Sequence, residues 1–207
     1  MGIIVQIEPT GRKFLEGYPE TRELLQKVQW LDFIEKFDGF HREVKKTFAR
    51  SFDGTKVEIG DVKLPVIEYM ITETTRLPKV GEKWFNNRGI EGEDWIFFLK
   101  NLSMDTTIFR KGIPSSALKS KWRNFLLVLQ KFVTCEGRFR CMFFSHIRLL
   151  MHFIEENQMN LPYFLFHSLK KMSVNVQKKI KLIDNTMYHH GLIKILIEFH
   201  LQSIAYN

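Results

Sequence analysis

The chain has 207 residues, a length that fits one domain or little more and that can bury a core without a disulfide or a structural metal. Its 19 phenylalanines and four tryptophans predict a core rich in aromatic side chains. The formal net charge of +8 favours encounter with an anionic partner but does not bear on the fold. Two cysteines exclude a disulfide framework and indicate a reducing compartment.

The N-terminal segment, residues 1–18, is predicted to be extended or poorly ordered. It does not have the pattern of a secretory signal peptide, because its apolar stretch is short and Glu8 interrupts it. It does not fit a myristoylation site either, because Gln6 stands where Ser or Thr is required. We therefore expect a cytoplasmic or nuclear protein that does not associate with membranes.

Helical spacing of apolar residues dominates the rest of the chain, and we predict one helical domain over residues 19–207. Pro19 suits the first turn of a helix, and the Asp38-Gly39 pair suits its end. Ser115 or Ser116 is the predicted N-cap of a later, longer helix. The predicted helices cover residues 19–38, 41–48, 67–75, 95–102, 115–133, 162–172, 174–183 and 188–204.

In residues 55–66 the spacing of apolar residues changes from the helical period to the period of two that is typical of strands. Apolar and polar residues alternate over 55–59 and 62–66, and Gly60-Asp61 between them suits a two-residue turn. The predicted fold class is therefore mainly α, a single compact helical domain with one small β-hairpin. Glycines and asparagines punctuate residues 78–92, which we predict to be a loop that carries Trp84 and Phe85.

The longest apolar run, residues 139–154, is predicted to form a helix buried at the centre of the protein, because apolar residues cover most of its circumference. A narrow polar stripe remains on this helix. Its arginine is expected to pair with Glu155, Glu136 or a carboxylate elsewhere, since an unpaired buried guanidinium is costly. We interpret the stripe as structural rather than as the floor of a pocket, and it consists of Cys141, Ser145, Arg148 and His152.

The cysteines and histidines near this run could suggest a zinc site or a catalytic Cys–His pair. Their spacing fits no zinc knuckle or zinc finger, and no local motif supports a nucleophile paired with a histidine. We therefore predict no metal, no cofactor, no small-molecule ligand and no catalytic residue. The residues considered for these roles are Cys135, Cys141, His146, His152, His189 and His190.

Several local strings occur together in a specific order and spacing. They are FARSFDG at 48–54, Leu77-Pro78 followed by Gly81 and Trp84-Phe85, TCEGR at 134–138, RLLMHF at 148–153, Leu161-Pro162 with Ser168-Leu169 and Met172, and HHGLIK at 189–194. Over about residues 30–201 the chain resembles a family of plant proteins described as transposon-derived or retrotransposon-derived domains. The section from the hairpin to Gly81 is also similar, more distantly, to the plant mobile domain. This resemblance implies a mobile-element origin and supplies no catalytic residues.

Three functions remain open from the sequence. The leading interpretation is a non-enzymatic binding module of mobile-element origin that acts through protein–protein contacts or self-association, with Trp84 and Phe85 as the candidate partner contact. The alternative for these two side chains is that they pack inward. The first alternative is a nucleic-acid-binding protein that recognises phosphates without sequence preference. The second alternative is an enzyme whose site is not located. The residues predicted to bind nucleic acid are Lys119, Lys121, Arg123, Lys178, Lys179 and Lys181.

Overall fold

The computed structural model describes residues 10–37, 42–83, 92–104, 113–134, 141–142, 144–177 and 190–205. Within these residues the mainly α fold with a small hairpin is confirmed, and no helix is both long enough and apolar enough to cross a bilayer. The helices are α1 (Gly11–Leu15), α2 (Pro19–Lys27), α3 (Leu31–Glu35), α4 (Arg42–Ser51), α5 (Glu68–Thr75), α6 (Glu93–Asn101), α7 (Ser120–Phe132), α8 (Phe144–Ile154), α9 (Leu161–Gln177) and α10 (His190–Ala205). The strands are β1 (Lys56–Ile59), β2 (Val62–Pro65), β3 (Ile113–Pro114) and β4 (Cys141–Met142).

The predicted aromatic core is confirmed. Large rings from α3, α4, α6, α7 and the segments before α3 and after α4 are almost completely removed from water. The Phe153 ring of α8 meets two of them edge to face, Phe125 at 4.4 Å and Trp30 at 5.2 Å between ring centroids. Such edge-to-face pairs add to the stabilisation from burial. The largest fully buried rings belong to Trp30, Phe33, Phe48, Phe52, Phe98 and Phe125.

The prediction that residues 1–18 are extended or poorly ordered is wrong for residues 11–15. Residues 11–15 form helix α1 rather than an extended segment, while residues 1–9 lie outside the described part of the chain. Thr10 caps this helix, because its hydroxyl oxygen accepts a hydrogen bond of 3.2 Å from the backbone N–H of Lys13. Leu15 is 1% exposed, so the short helix is held by burial as well as by its cap.

The helix predicted over 19–38 is two helices, because α2 ends in a Schellman motif. Gln29 adopts a left-handed conformation with φ of 61°. Its N–H donates to Gln26 O at 3.1 Å, and the N–H of Trp30 donates to Leu25 O at 2.9 Å. Leu25 and Trp30 are both buried. They occupy the two positions between which this motif usually forms an apolar contact. The break turns the chain so that Trp30 enters the core.

The predicted hairpin is confirmed. Strands β1 and β2 pair antiparallel, with Ile59 opposite Val62 and the Gly60-Asp61 turn between them. Val57 and Leu64 also face each other and are both buried. Their neighbours along the two strands are exposed, namely Lys56, Glu58, Lys63 and Pro65. The predicted two-residue turn at Gly60-Asp61 therefore agrees with the observed register.

Helix α7 begins later than predicted. Ser115–Ala117 form a 3₁₀ turn, and α7 starts at Ser120 with Lys119 at the N-cap and no side-chain cap. Hydrogen bonds to the end of α6 hold this segment, because the N–H of Lys119 donates to Leu102 O at 2.9 Å. Leu118 is completely buried, and this burial explains why the chain stays extended there instead of entering the helix.

The central helix α8 is shorter than the predicted run of 139–154. Cys141 and Met142 form β4, which pairs with β3, so the prediction that places Cys141 on the helical stripe is wrong. Pairing buries Met142, which is 1% exposed, and that burial favours the strand. Within α8 the prediction of burial is confirmed for six of the 11 residues, and Phe144 is exposed at 50%. The buried residues are His146, Ile147, Leu149, Leu150, Met151 and Phe153.

Helix α9 is continuous to Gln177, although two helices were predicted over 162–172 and 174–183. Asn160 begins it by accepting a hydrogen bond of 2.9 Å from the N–H of Tyr163. Ser173, at the predicted break, donates its hydroxyl hydrogen to Phe52 O at 2.5 Å. This contact holds the helix against the chain after α4 and explains its continuation.

Candidate functional site

The polar side of α8 meets two other parts of the chain. The Arg148 guanidinium lies 3.8 Å from the Asp94 carboxylate at the start of α6. One turn later, His152 Nε2 lies 3.6 Å from the Glu82 carboxylate, and His152 Nδ1 lies 3.4 Å from the Asn157 amide. The predicted ion pair of Arg148 is present, and its partner is a carboxylate from elsewhere in the chain, Asp94.

Glu82 reaches His152 because Gly81 allows a close backbone approach. Gly81 adopts φ of +100°, and a Cβ atom there would lie 2.1 Å from Gln158 O. The N–H of Glu82 donates to Gln158 O at 2.9 Å, and Glu82 O accepts from the N–H of Asn160 at 3.1 Å. This pairing fixes the Glu82 backbone directly beside the loop that follows α8.

Burial and the surrounding carboxylates act in opposite directions on the pKa of the His152 imidazole. Removal from water lowers the pKa of His152 below 6.5, and the carboxylates of Glu82 and Glu155 only partly oppose that effect. The nearby Arg148 lowers the pKa further. Ser145 is half-buried on the same helix. The described geometry therefore brings Arg148 and His152 together with carboxylates and places Cys141 in a separate strand.

His146 is a buried histidine whose environment the sequence did not reveal. It is fully buried, and its Nε2 lies 3.1 Å from the Thr134 hydroxyl oxygen. Burial lowers the pKa of His146 to about 4, so the ring is neutral at neutral pH. Cys135, its suggested companion in a zinc set, lies outside the described residues. Within the part that the structure describes, no group of three or more His, Cys, Asp or Glu residues could hold a metal ion.

Cations collect at the start of α7. Lys119, Lys121 and Arg123 are exposed, and the first turn of α7 contains no acidic residue. Lys119 Nζ donates to the backbone oxygen of Lys100 at 3.0 Å, so a fourth exposed cationic residue, Lys100 itself, lies in the chain segment next to them. We call Lys100, Lys119, Lys121 and Arg123 the basic cluster. The other predicted phosphate contacts, Lys178, Lys179 and Lys181, lie outside the described residues.

A second surface combines exposed apolar side chains with aromatic and basic ones. Ile67 and Tyr69 flank Glu68, whose carboxylate lies 3.9 Å from the Lys79 ammonium next to Val80. These three apolar residues are 40%, 57% and 50% exposed respectively. Because the ion pair joins the start of α5 to residue 79, these three exposed residues follow or precede residues that are held together.

Helix α9 extends this surface. The rings of Tyr163 and His167 lie 4.1 Å apart between centroids, and Lys83 Nζ lies 4.1 Å from the centre of the Tyr163 ring. His167 also lies close enough to Glu68 for that carboxylate to act on its pKa, which burial nevertheless lowers. We call this surface the α5–α9 face, and it consists of Ile67, Tyr69, Val80, Lys83, Tyr163 and His167.

The sequence analysis missed the α5–α9 face. The predicted contact, Trp84 and Phe85, lies outside the described residues, but it directly follows Lys83 in the chain. The spacing of Tyr163 and His167, four residues apart in a predicted helix, was a usable signal. The contribution of α5 could not be predicted from the sequence, because it depends on how α5 and α9 pack.

No family model, no curated protein and no solved structure matches the chain. The function proposed below is therefore inferred from the described geometry and its chemistry.

Proposed function

We propose that the protein is a non-enzymatic binding module that holds a protein partner on the α5–α9 face. The observation that carries this proposal is the collection of Ile67, Tyr69 and Val80 beside the Glu68–Lys79 ion pair, each at least 40% exposed. Contiguous exposed apolar residues with a polar rim are typical of protein-binding surfaces. The proposed origin from a mobile element stays a prediction from the sequence strings.

The composition of the face favours a partner segment that is both apolar and acidic. Tyrosine is enriched at binding hot spots, because it supplies a large contact area and a hydroxyl group together. Lys83 lies over the Tyr163 ring, and Lys170 lies 5.3 Å from the centre of the Phe166 ring on the same helix. These cations at the rim would attract carboxylates of the partner and speed its association.

A role without catalysis is supported by the polar side of α8. Arg148 and His152 each contact a carboxylate from a different part of the chain, which is typical of side chains that connect structural elements. The pKa of His152 is lowered by burial, which is also common for histidines inside a fold. We therefore infer that this cluster connects α8 to its neighbours.

A site-specific crosslinking experiment tests the proposal. A photoreactive phenylalanine analogue replaces Tyr69, and the matched control carries it at Ile96, which is 65% exposed on α6. We expect one adduct specific to position 69, either a second copy of the chain or another protein. The captured species, once purified, should bind Tyr69→Ala and Val80→Asp at least about tenfold more weakly than wild type, and Ile96→Ala equally well. No adduct specific to position 69, or equal binding by all variants, contradicts the proposal.

The basic cluster supports a second candidate function, binding of nucleic acid without sequence preference. The cluster has four exposed cationic residues, and Lys121 Nζ lies 5.4 Å from the centre of the half-buried Trp122 ring. Cations for phosphates beside a ring for bases are the groups that such binding uses.

Filter binding at several salt concentrations tests this candidate. Replacement of Lys119, Lys121 and Arg123 by glutamine should reduce the magnitude of the salt slope by about 0.7–0.9 per cation removed. Lys56→Gln and Lys63→Gln on the hairpin remove exposed charges elsewhere and serve as controls. If wild-type protein retains neither DNA nor RNA at low salt, this candidate is removed.

A further inference from the structure

A half-open cavity of about 580 Å³, lined mainly by polar and charged residues, lies between α1, the α2–α3 junction and the C-terminal end of α5. Its volume falls within the roughly 300–1,000 Å³ that is usual for small-molecule sites. Leu31 is apolar, and the eight other lining residues are polar or charged. The lining residues are Arg12, Gln26, Gln29, Leu31, Asp32, Glu35, Lys36, Thr75 and Arg76.

The backbone around this cavity has two unusual residues. Gln29 and Arg76 both adopt left-handed conformations, with φ of 61° and 59°, and Glu156 is the third non-glycine residue with positive φ in the described chain. Each ends a helix where glycine is preferred, because a side chain there costs about 1 kcal/mol. The chain thus keeps a long polar side chain at two positions that favour glycine, and both positions line the same cavity.

Two of the cationic residues that line the cavity, Lys36 and Arg76, are available to a ligand. The Glu35 carboxylate is already engaged by two guanidinium groups, Arg22 at 3.1 Å and Arg12 at 3.7 Å. Lys36 and Arg76 have no ion-pair partner among the described residues. Asp32 in the lining likewise has no ion-pair partner among the described residues, so the cavity keeps an excess of one positive charge beside the amides of its glutamines.

We propose that this cavity binds a small polar metabolite through a phosphate or carboxylate group held by Arg76 and Lys36. A guanidinium group donates two parallel hydrogen bonds to either oxyanion, so both chemistries fit. The side chains of Gln26 and Gln29 supply donors and acceptors for the polar body of the ligand, and Asp32 supplies an acceptor for its hydroxyl or amino groups. This site is separate from the α5–α9 face and from the basic cluster, and it departs from the prediction that no small molecule binds.

Titrations followed by two-dimensional amide NMR test the proposal. The probes are inorganic phosphate, citrate and adenosine monophosphate, which separate phosphate from carboxylate recognition and a bare anion from one with a polar body. We expect saturable shifts of the Gln29 and Arg76 amide signals with at least one probe at millimolar concentration. If no probe gives saturable shifts at these amides, the proposal is overturned.

Arg76→Gly separates binding from folding. Glycine adopts φ of 59° without strain, so this variant removes the guanidinium group and keeps the helix cap. We expect the affinity for the best probe to fall at least about tenfold, with unfolding by urea unchanged or shifted to higher concentration. Lys63→Gln, which removes the same charge from the hairpin, should bind as wild type does.

Lys36→Gln provides an independent variant. It should also weaken binding of the best probe, because Lys36 lines the cavity on the side of α3. If Arg76→Gly and Lys36→Gln both bind as tightly as Lys63→Gln, the saturable shifts come from another site and the proposal is overturned.

Discussion

The Arg148 guanidinium lies 3.8 Å from the Asp94 carboxylate, and this pair connects α8 to the first turn of α6. Four residues further along α8, His152 contacts Glu82. Two neighbouring turns of α8 are thus joined to different parts of the chain through polar contacts. The effect of the Arg148–Asp94 pair on stability and the effect of Glu82 on the ionisation of His152 can be measured separately.

The Arg148–Asp94 pair should contribute modestly to stability. Its side chains are 24% and 49% exposed, so water screens the attraction only in part. A double-mutant cycle with Arg148→Met and Asp94→Ala should give a coupling energy of about 0.5–1 kcal/mol in urea unfolding. The Lys56–Glu58 pair, also at 3.8 Å but more than half exposed on both sides, is the control and should give a smaller coupling. Equal couplings for the two pairs would show that burial does not matter here.

Glu82 should raise the pKa of His152, although burial keeps that pKa below 6.5. Glu82→Gln is therefore expected to lower the pKa of His152 further, and Glu155→Gln should lower it less, since Glu82 is the stronger of the two carboxylates. NMR titration of the imidazole signals measures both changes. Glu156→Gln is the matched control, because its carboxylate is not among the charges that act on His152. An unchanged pKa in Glu82→Gln would contradict the described contact.

His146 should make stability depend on pH below neutrality. Its pKa is about 4 in the folded protein and 6.5 when unfolded, so the unfolded state binds the proton first as the pH falls. The free energy of unfolding should therefore decrease between pH 6.5 and about pH 4, by about 3 kcal/mol from this residue. Urea unfolding of wild type and His146→Gln at pH 7 and about pH 4 isolates the effect, since other groups titrate in both proteins. The same pH dependence in both would rule out His146 as its source.

Local patterns in the sequence were sufficient for the class of fold and for the hairpin. Alternation over residues 55–66 indicated the two strands, because a side-chain period of two is typical of strands. The apolar run in 139–154 identified a buried helix for the same kind of reason. Both features depend on residues that are neighbours in the chain.

Features that depend on distant residues were not predictable. Cys141 lies in a strand because β3 pairs with it, and Arg148 pairs with Asp94, which is 54 residues away in the chain. The break at Gln29 had no signal, since a glycine would normally mark such a helix end. Neither the α5–α9 face nor the polar cavity follows from any one stretch of sequence, because each is assembled from several elements.

Gly11 should be intolerant of any side chain. A Cβ atom at this position would lie 1.8 Å from Ile34 O, and the N–H of Gly11 donates to Phe37 O at 2.7 Å, so α1 cannot move away without losing this bond. We expect Gly11→Ala to lower the free energy of unfolding by about 1–3 kcal/mol, as overpacking in a core does. Gly17→Ala is the control, because the nearest atom to its Cβ, Phe14 O, would lie at an ordinary 3.7 Å. That variant should change stability by less than about 0.5 kcal/mol. Urea unfolding of both variants measures the difference, and equal stability would mean that α1 and α3 are not packed as closely as described.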